Sequence, residues 1–283
     1  MQSNQLKEEL LAIKNSNYQL PDGMTDEQAV KRVITALGAS DGELRDDLAY
    51  TILLKWLLLE KQLLDGRQLN DILWQAVSEE MLYFKIGESE KDSVFQRTFS
   101  SLLIALILVR DNKEHFLSKE NYQVTLNRLI GYCKLEKDYR SFVPGKGWAH
   151  APAHISDALD ECVRSRFADL NTCTALWKEG FLKLLTNAPN VFDAEEDERI
   201  ATPVIAMIEL KKVPFSVIHE WLQEIDIDQL ESQSERPKVK RINFKQFIRC
   251  LYMRLKEKAL FEKDEEQQLF TLEHKFNPNF FDV

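Results

Sequence analysis

Apolar residues in this chain recur almost everywhere at i, i+3, i+4 and i+7, and almost nowhere do they alternate with polar ones. That spacing places them on one stripe of a helix, whereas a half-buried strand needs a period of two. The pattern predicts an all-α fold. Nine glycines and eight prolines in 283 residues agree, because a fold of many short strands needs more turn residues. Thr25-Asp26-Glu27-Gln28 reads as a capping box, the stripe Ala29, Val30, Val33, Ile34 and Leu37 follows, and Gly38 stands where a helix C-terminus takes a left-handed residue. Ser40-Asp41-Gly42-Glu43 opens another helix, with Leu44, Leu48, Ile52, Trp56 and Leu59 on its stripe and Gly66 beyond it. Further helices are expected at about 69–86, 92–111, 118–135, 151–167, 172–186, 194–212, 214–225 and 243–262.

Helices of about 15 to 20 residues with short loops between them suggest antiparallel helical pairs. These would form an α/α superhelix of the HEAT or armadillo kind, or an irregular helical bundle of the same units. Starts near 25, 69, 118, 152 and 194 lie at irregular intervals, without the recurring positions of a true repeat. A single domain over 1–283 is expected. It would have a long loop at about 226–242, where Asp226 to Glu235 is acidic and Arg236 to Arg241 basic, and an aromatic C-terminal tail. The four phenylalanines of Phe270 to Val283 make that tail too apolar to stay in water, so it should dock on the body. The segment from Val94 through Phe95, Phe99 and Leu102 to Val109 is apolar on most of its circumference and should be central, with Arg97 inside it as a salt-bridged or functional residue.

Forty-six acidic against thirty-seven basic residues give a formal charge of −9, which works against binding nucleic acid or an anionic membrane. The basic run from Arg236 to Lys258 also carries Phe244, Phe247, Ile248, Leu251 and Leu255 at helical spacing, so it reads as the solvated face of an amphipathic helix. Leu102 to Val109, the longest apolar run, is far short of the roughly 20 residues a bilayer requires. Cys133, Cys162, Cys173 and Cys250 form no C-x-x-C pair, and the start of the chain has neither a basic opening nor an apolar core of a secretory signal. A cytoplasmic location is expected.

Chemistry concentrates between Asp138 and Asp157, where two of the nine glycines, two of the eight prolines and two of the five histidines fall. Pro144-Gly145-Lys146-Gly147 must be a non-helical turn, and a helix should start around Trp148 to Ala151, because Pro152 is comfortable only in a first turn. A turn feeding a helix N-terminus, with Arg140 and Lys146 close by, favours a small anionic ligand, and Trp148 offers an aromatic wall. His150 and His154 stand at i and i+4, with Asp157 at i+7, so two imidazoles and a carboxylate can form part of a divalent-metal site. The alternative is structural: His150 caps the helix or bonds a loop carbonyl, and Asp157 pairs with Arg140. His219-Glu220 is a lone copy of a pair that iron sites use several times, and Asp193 to Arg199 is most simply a capped acidic helix start. No nucleophile elbow and no dinucleotide fingerprint is present. A scaffold that holds a protein partner on a helical surface is the competing reading of the whole chain.

Three strings, Glu43 to Tyr50, Val94 to Ser101 and above all Phe142-Val-Pro-Gly-Lys-Gly-Trp-Ala-His-Ala-Pro-Ala-His154, carry a resemblance to the bacterial domain of unknown function 2785 family. It spans roughly residues 40 to 270. The resemblance implies a bacterial helical protein and supplies no reaction. If its motifs mark one site, Arg45, Asp46 and Arg97 join Arg140, Lys146, Trp148, His150, His154 and Asp157.

Overall fold

The Thr25 hydroxyl accepts from the Gln28 amide at 3.2 Å, the Gln28 side chain accepts from the Thr25 amide at 2.9 Å, and the helix Asp26–Ile34 buries Ala29, Val30, Val33 and Ile34. The same grammar builds the rest of a computed structural model that describes residues 2–232, 236, 238–278 and 280. The fold is all-α, and the one sheet among the described residues is a hairpin of Phe142–Val143 with Gly147–Trp148.

The helices Gly66–Ala76, Ser93–Glu114, Ala151–Arg164, Glu196–Glu209 and Val239–Glu257 pack in succession, each on the one before. Between them in sequence, Lys119–Leu135 packs on the continuous helical stretch from Leu170 to Asn187, and Phe215–Gln223 packs on Lys263–Lys275. One hydrophobic cluster runs through these elements from Leu6 to Phe276. Ser93–Glu114 is the one helix among the described residues long and apolar enough to cross a membrane, yet 89% of that window is buried by the other helices. Its apolar circumference is explained by neighbours on several sides.

Several expectations are corrected. The helix placed at about 69–86 ends at Ala76, and turns follow through Gly87. Gly38 is not left-handed: the preceding helix closes through tight turns, Ala36 N–H to Val33 O at 3.0 Å and Leu37 N–H to Ile34 O at 3.1 Å. Leu59 is 65% exposed although it continues the stripe of Leu44, Leu48, Ile52 and Trp56. Glu43–Tyr50 and Lys55–Leu59 are π-helical, with Glu60 N–H reaching Lys55 O at 2.9 Å. The wider turns rotate Leu59 off the face that the 3.6-residue period assigns it.

The segment at about 226–242 holds a short helix, Ile227–Ser232, and the next helix begins at Val239 rather than near 243; Gln233 to Glu235 and Pro237 lie outside the described residues. Among the described residues of the tail, only Phe276 of the phenylalanines is enclosed. Its ring stacks on Phe244 with centroids 5.4 Å apart, and its carbonyl accepts from Arg241 Nη1 at 2.7 Å, while Phe270 and Phe280 are exposed. Phe281 lies outside the described residues. The basic face is largely paired within the chain, through Arg249 with Glu273, Arg254 with Glu198, Lys256 with Glu266 and Lys258 with Glu209.

Candidate functional site

Pro144 and Gly145 are the central residues of a tight turn: Lys146 N–H donates to Val143 O at 2.9 Å, and Gly145 takes φ +76°. Proline followed by a residue of positive φ is the chemistry of a type II turn. The turn closes the hairpin, whose ladder pairs Phe142 with Trp148 and continues through Ala149 N–H to Ser141 O at 2.8 Å and His150 N–H to Arg140 O at 2.9 Å. His150 itself is left-handed, at φ 52°, and from it the helix Ala151–Arg164 departs with Pro152 in its first turn. The hairpin sits on Ser93–Glu114 through Ala149, which packs with Val94 and Phe95.

Its other support is the π-helical segment Glu43–Tyr50. Gly147 has φ +85°, and a Cβ there would come within 2.9 Å of Asp46 Oδ2 and 3.0 Å of Arg45 Nη2. The Arg45 guanidinium is fully buried. It donates to Ala39 O at 2.6 Å, Lys146 O at 2.7 Å and Trp148 O at 3.2 Å, and lies over the Phe95 ring at 3.9 Å and the Phe99 ring at 4.8 Å. Its Nε is 2.7 Å from Asp46 Oδ1 but out of line for a hydrogen bond, so that contact is an ion pair. The other oxygen of Asp46 accepts from Trp148 N–H at 3.4 Å. The hairpin string is thus clasped, backbone to side chain, by residues about a hundred positions earlier.

Beyond the clasp lies a polar cluster around Phe99. Tyr50 meets Phe99 edge-on at 6.2 Å between centroids and His154 does so at 5.2 Å; His150 lies 5.6 Å from His154 and stacks on Trp148 at 5.0 Å. Asp157 takes a bidentate pair from Arg199, through Nε at 2.8 Å and through Nη2. Trp148 is 41% exposed and the Asp157–Arg199 pair is partly exposed, so the cluster has an open side. Burial pushes the Tyr50 hydroxyl up to about 12, and it pushes the carboxyls of Asp46 and Asp157 up against the opposing pull of Arg45 and Arg199.

His154 is the anomaly. It is 7% exposed, its Nδ1 is sealed from solvent, and among the described residues neither ring nitrogen finds a hydrogen-bond partner. Burial, reinforced by His150, Arg199 and Arg45, holds its pKa well below the ordinary imidazole range, so the ring is neutral.

A family model described as "Protein of unknown function (DUF2785)" matches residues 82–253, more than half of the chain. The chain belongs to this family. The match holds the hairpin, His150, His154, Asp157 and Arg199, whereas Arg45, Asp46 and Tyr50 precede it, so the resemblance expected over about 40 to 270 is shown over 82–253. No curated protein and no solved structure matches the chain.

Of the residues singled out from sequence, Arg45, Asp46, Trp148, His150, His154 and Asp157 come together here. Arg97 does not. It lies two residues from Phe99, roughly 200° around the helix, where Glu136 receives its Nε at 2.6 Å and its Nη2 at 2.8 Å, and Ser93 and the carbonyls of Phe84, Lys85 and Glu88 take the remaining donors. Arg140 forms a fork with Asp138, not with Asp157. Lys146 is neutralised by Asp92 at 2.7 Å. The proposed metal set is not assembled: Asp157 is held by Arg199, and among the described residues no three His, Cys, Asp or Glu side chains converge. His219 stacks on Phe215.

Sequence reasoning missed Tyr50, Glu196 and Arg199. Glu196 and Arg199 lie inside the stretch read as a capped acidic helix start, but the helix Glu196–Glu209 has no side-chain cap: Glu195 is left-handed, Asp193 accepts from the Ser141 hydroxyl at 2.8 Å, and Glu196 turns inward at 2% exposure. An inward glutamate and an arginine six residues from the expected cap, Asp193, leave no trace in periodicity.

Proposed function

We propose that this protein binds a small polar ligand in the cluster between the hairpin, the Glu43–Tyr50 segment and the helix Ala151–Arg164. The observation that carries the reading is His154. A buried polar group without a partner costs about 1–3 kcal/mol, and folded proteins keep such groups where a water or a ligand completes them. Tyr50, Trp148 and the Asp157–Arg199 pair supply the aromatic and polar rim that small-molecule sites use for orientation. Because Lys146 is spent on Asp92, the ligand is a polar hydrogen-bonding molecule rather than a strongly charged anion.

The surrounding protein belongs to the bacterial cytoplasm in this reading. Four buried, unpaired cysteines suit a reducing compartment, and the hairpin string is the one that resembles the bacterial family. The packing of each helix on the one before supports reading the fold as an α/α superhelix, whose stacked units would hold the site rigidly.

The test is a binding screen by ring-nitrogen and ring-carbon NMR of isotope-labelled protein, with acetamide, glucose, acetate and inorganic phosphate as probes. A saturable shift of the His154 resonances by acetamide or glucose is expected, and in His154→Leu the same probe should no longer move the Trp148 indole resonances. If none of the probes moves His154, the reading fails.

A further inference from the structure

A cleft of about 800 Å3, lined by none of Tyr50, Trp148, His150 and His154, opens between the helix Gln2–Asn15, the turns after Ile34 and the start of the helix Ser93–Glu114. That volume lies within the roughly 300–1,000 Å3 of small-molecule sites. Leu6, Ala36 and Leu44 supply a buried apolar lining, and Phe84, 37% exposed, an aromatic one. The two charged residues of the lining are already matched. Arg32 holds Glu9 through Nε and Nη2, each at 2.9 Å, and Asp92 takes Lys146 Nζ on its two oxygens, at 2.7 and 2.8 Å. What is left to be matched is neutral: the Gln5 carboxamide and Gln96 Oε1 make no hydrogen bond among the described residues, and Gln96 Nε2 reaches only Ser100 Oγ, at 3.4 Å. Thr35 donates its hydroxyl hydrogen to Arg32 O at 2.7 Å and keeps its lone pairs.

Gly38 shows that the Gln96 amide is given room at the cleft wall. Its φ is not positive, so the backbone has no need of glycine there. A Cβ at Gly38 would instead lie 2.1 Å from Gln96 Oε1 and 3.0 Å from its Cδ. The missing side chain is therefore the space that the carboxamide occupies.

We propose that this cleft binds an uncharged saccharide, with Gln96 reading its hydroxyls. Matched charges leave nothing to neutralise an ionic ligand, and a charge brought into the cleft would lose water without gaining a counter-ion. A carboxamide both donates and accepts, as a sugar hydroxyl does. The C–H face of a pyranose ring fits the flat apolar face of Phe84, while Leu6 and Leu44 cover the carbon skeleton. The site is separate from the cluster around His154, and the proposal does not depend on a ligand there.

The experiment titrates the isotope-labelled full chain with maltose, glucose, glucose 6-phosphate and adenosine, and follows the Gln96 carboxamide and the Phe84 ring by NMR. Saturable shifts of both by maltose or glucose are expected, with weaker binding of the phosphorylated sugar. Gln96→Leu, read at the Phe84 ring, should weaken the sugar about tenfold, the worth of one hydrogen bond. Gly38→Ala should do the same by displacing the carboxamide, yet melt close to the wild type, because the atom it meets is the end of a flexible side chain. Melting temperatures establish that both variants fold. No saccharide shift at Gln96 and Phe84, tighter binding of adenosine or glucose 6-phosphate than of either sugar, or wild-type affinity in both variants would overturn the proposal. A sugar that moves His154 and leaves Gln96 unmoved would overturn this inference and leave ligand binding beside His154 standing.

Discussion

At the scale of single residues, two buried nitrogen-bearing side chains on different sides of the helix Ser93–Glu114 play different parts. Arg97 has an ion pair with Glu136 and its other donors filled by carbonyls and Ser93, both partners being almost fully enclosed. Removing one member leaves the other charge buried and alone, so Arg97→Met should cost about 3–5 kcal/mol, read from urea unfolding. A loss under about 1 kcal/mol would mean that the pair relaxes to solvent. His154 makes an opposite kind of prediction. Its folded pKa lies well below the unfolded value of 6.5, so the unfolded chain takes up the proton first. Its contribution to stability is full above that unfolded value and is lost as pH falls from there toward the folded pKa. The wild-type melting temperature should therefore drop more steeply than that of His154→Leu between about pH 7.5 and about pH 5, and parallel slopes would contradict the neutral buried ring. That His154 and Asp157, at i and i+3, share a helical face was legible from helical spacing, whereas His150, left-handed ahead of the helix, is brought beside His154 by the turn. That Asp157 would be taken by Arg199 was not legible, because ion pairing across 42 positions depends on which helices stack.

At the scale of elements, the hairpin shows how glycine serves two different ends within three residues. At Gly145 a Cβ meets nothing within 4 Å, so alanine there suffers only the backbone cost of a positive φ, about 1 kcal/mol. At Gly147 the same backbone cost is joined by a clash with Asp46 and Arg45. Gly147→Ala should accordingly destabilise by a clear margin more than Gly145→Ala, by about 1–3 kcal/mol further, in paired thermal melts. Equal losses would show that the hairpin lifts off Glu43–Tyr50 without penalty. The Pro-Gly turn and the helix start near Ala151 follow from local chemistry, since proline and glycine each restrict or extend φ whatever surrounds them. The π-helical turns do not. They insert a residue into a pattern that reads as continuous α-helix, and Leu59 consequently faces solvent.

At the scale of the molecule, the helices Ser93–Glu114, Ala151–Arg164, Glu196–Glu209 and Val239–Glu257 stack in order of sequence, and the last of them is closed by Phe276 on Phe244. A fully buried ring at the end of the row is a bolt rather than a decoration. Phe276→Ala should cost about 3–5 kcal/mol and lower the melting temperature, whereas Phe280→Ala, at a 75% exposed ring, should leave it unchanged. A neutral Phe276→Ala would mean that the final helix, Lys263–Lys275, is not coupled to the rest of the core.

Helical class, the capping box at Thr25, the central place of the segment through Leu102 to Val109 and the location of a turn with unusual chemistry were all determined by the sequence itself. Each depends on the period of apolar residues or on backbone preferences carried by single residue types, and those act over one or two turns of chain. The tertiary structure decided everything that needs two distant segments to meet. It gave Arg45 to the hairpin carbonyls, Arg199 to Asp157 and Glu196 to His150, and it left the buried His154 Nδ1 unsatisfied. A hydrogen bond reaches about 3 Å and specifies nothing along the chain, so its partner is chosen only when stacking helices bring one side chain, and exclude every other, within that reach.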